Sequence, residues 1–485
     1  MFDKLKQLTK DTAVYGISTI VGRFLTFLLV PFYTNVLSRD DFGIYTNLYI
    51  LMAILNIVFV YGMDAAYIKF AAVPAPGEEK DLFSTPYLSI AGGGVILIGL
   101  IVFFKGPIYW ALDVPFEYLN LIYYAAGILF VDALCVIPFI KLRLEHKAKK
   151  FALFKVINIL VNVGLNLYLI LKLKWGIEAI FFANLAASLT SFTLLLPSVV
   201  KSFIPKIRPD ILKKFLKFGL PYLPAGLAAM LIQGIDRPIL THLTNQDTNG
   251  LYAANYKLGI FMMLFVNMFQ YAWQPFFMQT AEDKDAKQVF SKVLTYFTLA
   301  ASVILIVISL FISDAASFSI AGHTIIGREY LSGLSIVPVI LLAYLFNGMY
   351  VIFTAGIFIE EKSIYVPIMT GMGAAVNIVL CFVLIPAMGI MGAALATLAS
   401  YFSMAVGYFL VTQKIYKIEY EYGKILKIFT SVLVVGALYY TQYYGGHLNL
   451  LNKFLILLLY VILLAIFNVG KEEIQFIRKR FAKGT

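Results

Sequence analysis

Cysteine, histidine and charge are all scarce in this chain. Its 485 residues hold two cysteines, Cys135 and Cys381, each inside an apolar run, so neither a disulfide nor a metal role is expected of them. The four histidines, His146, His242, His323 and His447, are scattered, with no HExxH spacing and no Cys/His cluster. No Walker A, GxGxxG or GxSxG pattern occurs, so ATP hydrolysis by this chain is not expected, and neither is enzymatic activity. No cleavable signal peptide is expected either: "MFDKLKQLTKDT" is polar and basic, and no short apolar stretch with a small-residue cleavage site follows it. Charged residues make up only 14% of the chain, against about 25% in soluble domains.

What fills the gap is apolar. The chain is 61% hydrophobic, with a mean hydropathy of +0.84. A water-soluble protein of this size could not hide so much apolar surface, so the expected solvent is lipid. At roughly 20 apolar residues per crossing, candidate spans fall near 11–36, 42–71, 82–104, 117–140, 151–171, 176–200, 215–243, 249–280, 289–313, 330–358, 364–386, 390–413, 425–444 and 450–469. The fold class read from this is an all-α integral membrane protein of about fourteen helices, both ends on one side. Pro31, Pro221, Pro224, Pro238, Pro275 and Pro338, within or near spans, suggest kinks.

The net charge of +12 would suit nucleic acid, but its placement points to a membrane. With the N-terminus inside, about 28 Lys and Arg fall in inside segments and about six on the other side. Both termini are therefore expected in the cytoplasm, and nucleic acid is not an expected partner. The tails "FDKLKQL" and "KEEIQFIRKRFAK" carry apolar residues at helical spacing among lysines and read as amphipathic helices lying on the membrane surface.

The chain also repeats itself. Aligning "VPFYTNVLSRDDFGIYTNLYIL" with "GIDRPILTHLTNQDTNGLYAANYKLG" pairs Pro31 with Pro238 and Thr34 with Thr241. With a one-residue slip, Leu37-Ser38 pairs with Leu243-Thr244, and then Gly43-Ile44-Tyr45 with Gly250-Leu251-Tyr252 and Tyr49 with Tyr256. Downstream, "GIEAIFFANLAAS" from Gly176 parallels "GIMGAALATLASY" from Gly389, and Asn162 and Asn166 stand opposite Asn377 and Cys381. Spans 1–6 and 7–12 thus read as two parallel copies of one six-helix unit, around a central cavity, followed by an extra pair. The expected organisation is an N-lobe over 1–200, a cytoplasmic linker over 201–217, a C-lobe over 218–416, the extra helices over 417–470 and an amphipathic tail over 471–485.

Charges inside spans cost about 2.5–3.5 kcal/mol each on insertion scales and mark candidate sites. Arg23 lies in the first span, Arg237 in the seventh and Lys257 in the eighth, none with an obvious local partner. Turned into a shared cavity, they would attract an anion, and a phosphate or pyrophosphate best fits guanidinium geometry. Asn47, Asn255, Gln233 and Gln270 are amides in spans that would suit a sugar's hydroxyls, or bond a neighbouring helix. Asp64, Asp132 and Asp236 are the in-span acids and the candidates for coupling to Na⁺ or H⁺. No other cofactor is expected.

The run "DTAVYGISTIVGRFLTFLLVPFYTNVLSRDDFGIYTNLYIL" and the pattern "LIPAMGIMGAALAT" resemble the bacterial polysaccharide transporters. These are the Wzx-type lipid-linked oligosaccharide flippases of the superfamily that also holds the MATE exporters and the lipid II flippase. The resemblance implies two six-helix lobes with a cavity that opens alternately to each side. It implies a cargo of undecaprenyl-pyrophosphate-linked oligosaccharide moved to the outer leaflet of the bacterial cytoplasmic membrane, for cell-surface polysaccharide biosynthesis. Membrane lipids, and a polymerase with other glycan-assembly proteins, would be its partners. Two alternatives stay open at this point: a lipid II flippase serving peptidoglycan, and a MATE-type cation-coupled exporter. A membrane scaffold or scramblase-like partner is the non-transport alternative.

Overall fold

Long apolar runs in lipid leave backbone N–H and C=O groups no partner but one another, so nearly every segment of this chain is helical. A computed structural model describes residues 29–71, 76–145, 147–281, 283–320, 323–362 and 364–467. Arg23 and the two amphipathic tails expected from the sequence lie outside the described residues.

The chain divides into two compact units. The first runs to Lys257 and takes in Asn377–Ala396; the second holds Leu258–Val376 and the chain from Thr397. In the first unit, α1 (29–36) precedes α2 (Arg39–Val60), α3 (Met63–Ala71), α4 (Glu79–Phe103), α5 (Lys105–Leu112), a 3-10 turn (Phe116–Tyr118) and α6 (Asn120–Leu144). Then come α7 (Ala148–Leu171), α8 (Glu178–Ser202), α9 (Pro209–Gly219), α10 (Tyr222–Gly234), α11 (Asp236–Leu243) and α12 (Gln246–Tyr256). The second unit holds α13 (Ile260–Thr280), α14 (Ala286–Ser317), α15 (Val337–Ile359), α18 (Tyr422–Tyr444) and α19 (Leu450–Ile466). Helices α16 (Tyr365–Met388) and α17 (Ile390–Ile415) contribute to both units. A two-stranded hairpin, Ser319–Ile320 with His323–Thr324, is the one sheet among the described residues.

Among the described residues ten helices are long and apolar enough to cross a membrane, and the bent pair α9–α10 makes eleven. Helix α19 is a shorter apolar helix, and most of the first expected span lies outside the described residues, so ten or eleven crossings are roughly consistent with the expected fourteen. Helix α9 begins inside the expected linker, with Pro209 in its first turn, where a missing N–H costs nothing.

The two copies of the repeated corner start in the same way. Ser38 caps α2 by accepting from the Asp41 N–H at 3.1 Å, and Asn245 caps α12 by accepting from the Thr248 N–H at 2.8 Å. Each cap satisfies an orphan donor, and the acids that follow, Asp40 and Asp41 or Asp247, sit favourably at the positive end of the helix. These corners pack directly on each other. A Cβ on Gly43 would run into the Gln246 carbonyl oxygen, and one on Gly250 into that of Arg39. Only glycine lets the two backbones come this close. Beyond the other end of α2, Gly62, in the turn before α3 at φ +77°, and Gly219 at the end of α9 meet in a second reciprocal contact.

In the second unit α14 is the hub, packed against α15, α18 and α19. The Ser302 and Tyr460 hydroxyls lie 2.6 Å apart, and Lys453, 3% exposed, reaches Asp314 Oδ2 at 2.6 Å and Ser313 Oγ at 3.1 Å. An apolar groove of about 300 Å³ runs between α14, α15 and α18, with Leu305, Leu342 and Leu433 in its walls.

Candidate functional site

Helix α12 runs for 11 residues and then breaks into a 3-10 turn, Lys257–Gly259, before α13. Eleven residues rise about 16 Å, roughly half of a ~30 Å hydrocarbon core. Lys257 therefore sits near mid-depth, at a break where irregular backbone is tolerated only if protein or a wet cavity surrounds it. Its Nζ lies 4.6 Å from the centre of the Phe42 ring and 4.7 Å from that of Tyr45. Phe42 and Tyr45 are three apart on α2 and so share a face. Each ring is worth up to about 2 kcal/mol to a desolvated cation. Among the described residues Lys257 forms no ion pair.

The seventh span is broken in the same region, between α10 and α11, and Arg237 is the second residue after the joint. Its Cζ lies 4.5 Å from the centre of the Tyr256 ring, and its Nη1 donates to the Gln233 carbonyl at 3.1 Å. Arg237 is also the charged group that bears on Lys257. Two cations, each seated on aromatic faces, thus stand together where two spans break.

Asp236, 1% exposed, lies beside them and accepts from the Tyr252 hydroxyl at 2.5 Å. Cys381, on the part of α16 that joins this unit, is close enough to feel the Asp236 charge, and its thiol approaches Asn377 Oδ1 at 3.7 Å. The Asn377 amide nitrogen is buried without a hydrogen bond among the described residues. No group of three or more His, Cys, Asp or Glu stands close enough to hold a metal among the described residues.

A layer of amides closes the space between this cluster and the capped corners. Asn47 is fully buried and donates to Thr241 Oγ1 at 2.7 Å and to Gln246 Oε1 at 3.2 Å. Gln246 in turn donates to the carbonyls of Leu112 and Asp113, at 2.7 and 2.9 Å. Asn249 donates to the Gly43 carbonyl at 3.1 Å, and Arg39 pairs with Asp247 at 2.7 Å.

The structure therefore brings Arg237, Lys257, Asp236 and Asn47 into one neighbourhood. Asn255 is buried on α12 and donates to the Leu251 carbonyl one turn back, and Gln233 is exposed on α10. Gln270 belongs to α13, in the second unit. Asp64 is half-buried at the start of α3, and Asp132 on α6 faces Ser188 and Lys155. Neither acid joins the cluster. The sequence reading missed Tyr252, Tyr256, Phe42 and Gln246. The repeat was the signal that could have found them: Gly43 packs on Gln246 and Gly250 on Arg39, so repeat-related positions face one another.

The sequence matches the family described as "Polysaccharide biosynthesis protein" over residues 34–331, more than half of the chain. No curated protein matches it. Among solved structures it is similar to a lipid II flippase, MurJ, in an inward closed conformation, with TM-score 0.72 and 18% identity. That match covers 95% of this chain and 100% of that one. It is also similar to a MATE family multidrug resistance transporter of the MOP superfamily, inward-facing, with TM-score 0.65, 14% identity and coverage of 81% and 94%. A third likeness is to the Vibrio cholerae MATE transporter VcmN, D35N mutant, with TM-score 0.58, 12% identity and coverage of 84% and 96%. At these identities the likenesses establish the fold.

Proposed function

The chain belongs to the polysaccharide biosynthesis protein family, on a multi-pass membrane fold of flippases and transporters, and from that premise we propose that it flips a polyprenyl-pyrophosphate-linked oligosaccharide across the bacterial cytoplasmic membrane. The observation that carries this reading is the pair Arg237 and Lys257, held on aromatic faces at mid-depth. Lys257 forms no ion pair among the described residues, and an ammonium inside a span is costly unless an anion visits it. A pyrophosphate is a fitting visitor: the guanidinium offers a planar fork to its oxygens and the ammonium a compact point charge. Arg23 would add a third cation.

In this reading the Lys and Arg excess puts both termini in the cytoplasm, and the capped corners at Arg39 and Gln246 on the far side. Parting of the corners would uncover Asn47 and Asn255 to the sugars, with Gln233 and Gln270 as further amides along the path. The prenyl tail would stay in lipid, and the groove between α14, α15 and α18 is apolar enough to take part of it. Asp236, bonded to Tyr252, is the acid best placed to couple the cycle to Na⁺ or H⁺, because it shares the neighbourhood of Arg237. Asp64 and Asp132 would couple only from a distance. A glycan polymerase would take the product outside.

Lipid II is the second reading. It presents the same pyrophosphate, and the match to MurJ extends over 95% of this chain. Exchange assays in vesicles separate the two when each lipid is offered alone. Replacing Arg237 or Lys257 with Gln removes a charge-assisted contact of about 1.5–3 kcal/mol and should lower translocation of the true cargo about 10- to 100-fold. Wild-type translocation by a Lys257→Glu chain at normal protein levels would end the pyrophosphate assignment.

A further inference from the structure

The segment between the spans α4 and α6 is neither a plain loop nor a core element. Helix α5 turns Tyr109 and Leu112 inward, where both are buried, and turns Trp110 outward, 82% exposed. After it, Phe116 is 75% exposed. On the span that leads in, Val95, Ile96, Leu100 and Phe103 form a continuous exposed stripe, and Phe103 is 78% exposed. That stripe lies on a helix long and apolar enough to span the membrane and must face lipid, and α5 follows directly on the end of that helix.

The inner side of the same segment grips the corner contact. The Leu112 and Asp113 carbonyls accept both Nε2 hydrogen bonds of Gln246 on α12. The Tyr118 hydroxyl donates to Asp41 Oδ1 on α2 at 2.7 Å, and the Tyr109 hydroxyl donates to the Tyr118 carbonyl, which ties the segment to itself. One short element therefore holds both partners of the corner from its inner face and turns Trp110 and Phe116 outward, beside the exposed Asp113 and Glu117.

We propose that α5 and the turn after it are a bilayer-seated strut: Trp110 and Phe116 enter the interfacial layer of the membrane and keep α2 clasped to α12. Aromatic side chains favour this layer, because it accepts an apolar face and a polar edge at once. A seat in the membrane fixes the height of the Leu112 and Asp113 carbonyls relative to the spans. The strut thereby makes the corner contact sensitive to the bilayer rather than to the two helices alone.

The test uses the full chain in vesicles, with Trp110 fluorescence taken as the difference between the wild type and Trp110→Phe. Lipids brominated close to the headgroup should quench that component more than iodide in the water does. Stronger quenching by iodide, or quenching by neither, overturns the seat in the bilayer and leaves the patch to a protein partner. The second arm follows hydrogen exchange in nanodiscs. Trp110→Ser with Phe116→Ser, both at exposed positions, should speed exchange about threefold or more in the segments 39–47 and 246–256 together. Unchanged exchange there, in a chain that still melts as the wild type does, overturns the strut even if Trp110 touches lipid.

Discussion

Placing a methyl group at Gly43 tests the corner contact most directly. In Gly43→Ala the new Cβ meets the Gln246 carbonyl oxygen well inside van der Waals distance, and the obstacle is backbone, so no rotamer relieves it. Overpacking of this kind costs about 1–3 kcal/mol, which changes the ratio of clasped to parted corners by about 5- to 150-fold. Alanine also returns about 0.5–1 kcal/mol of helix propensity, in both states alike, so the shift between them survives. Gly250→Ala should behave in the same way and more severely, because the Arg39 carbonyl stands closer to its Cβ. Cross-linking reads the outcome: Arg39→Cys and Asp247→Cys replace side chains that meet at 2.7 Å, in a chain whose Cys135 and Cys381 have been changed to Ala. Either glycine substitution should lower the cross-linked fraction. Gly92→Ala on α4, with open space around its Cβ, should leave it unchanged while raising the melting temperature slightly. If all three variants cross-link alike, the close backbone approach is not what keeps the corners together.

Three further outcomes follow from named contacts. Burial works against the charged form of Glu421, but hydrogen bonds from Thr295 and Lys424, and the charges of Lys424 and Lys292, outweigh it and hold the carboxyl below the ordinary glutamate range. A depressed folded value gives stability that is present above the unfolded value, about 4.3, and is lost as pH falls through and below it. Melting temperature should therefore drop on acidification through that window, and Glu421→Gln should flatten the profile. The Lys453 ammonium is buried but its partner Asp314 is half-exposed, so Asp314→Asn should cost less than the ~3–5 kcal/mol of a wholly buried pair. Adding Lys453→Met should recover most of that loss in a thermal melt. Tyr252→Phe removes the hydroxyl that donates to buried Asp236, a contact of about 1.5–3 kcal/mol, and should lower the melting temperature measurably.

Much of the architecture was written in composition. Apolar runs of the right length located the spans, and matched residues at Gly43 and Gly250 exposed the duplication. The corner alignment shows where type matching misleads. Opposing Ser38 to Thr244 needed a one-residue slip, because both are small hydroxyl residues. The caps instead pair Ser38 with Asn245, each accepting from the N–H three residues on. A cap is defined by an oxygen at the right place, and serine and asparagine supply it equally well. The site was less legible. Arg237, Lys257 and Asp236 stood out because charge is costly in lipid. Phe42, Tyr45 and Tyr256, which seat those charges, did not stand out in a chain with 41 phenylalanines and 31 tyrosines. Asn47 and Gln246 are uncharged, and only coordinates reveal that they bond each other across about 200 residues of sequence.

The duplication also explains why the cations lie to one side of the corner contact. Arg39 corresponds to Gln246 and Gly43 to Gly250, and each glycine lies against the partner's matching backbone, so the contact is close to two-fold in its main chain. The side chains break that symmetry. Asp236 and Arg237 correspond to Leu29 and Val30 of the first copy, and Lys257 to Ile50. Tyr45 and Tyr252 correspond too, yet Tyr45 carries the Lys257 ammonium while Tyr252 donates to Asp236. A symmetric backbone suits a clasp, because identical surfaces meet with a single geometry. An asymmetric set of charges suits a cargo with a polar end and an apolar one, which must enter in one orientation. The Lys257 ammonium of the second copy thus rests on rings of the first, while Arg237 rests on Tyr256 of its own copy. Moving the ammonium across the pseudo-axis, with Ile50→Lys and Lys257→Ile together, leaves the clasp glycines untouched. If the assignment of charge to one copy matters, this double variant should still cross-link between positions 39 and 247 yet fail to translocate. Restored translocation would show that only the net charge of the neighbourhood counts.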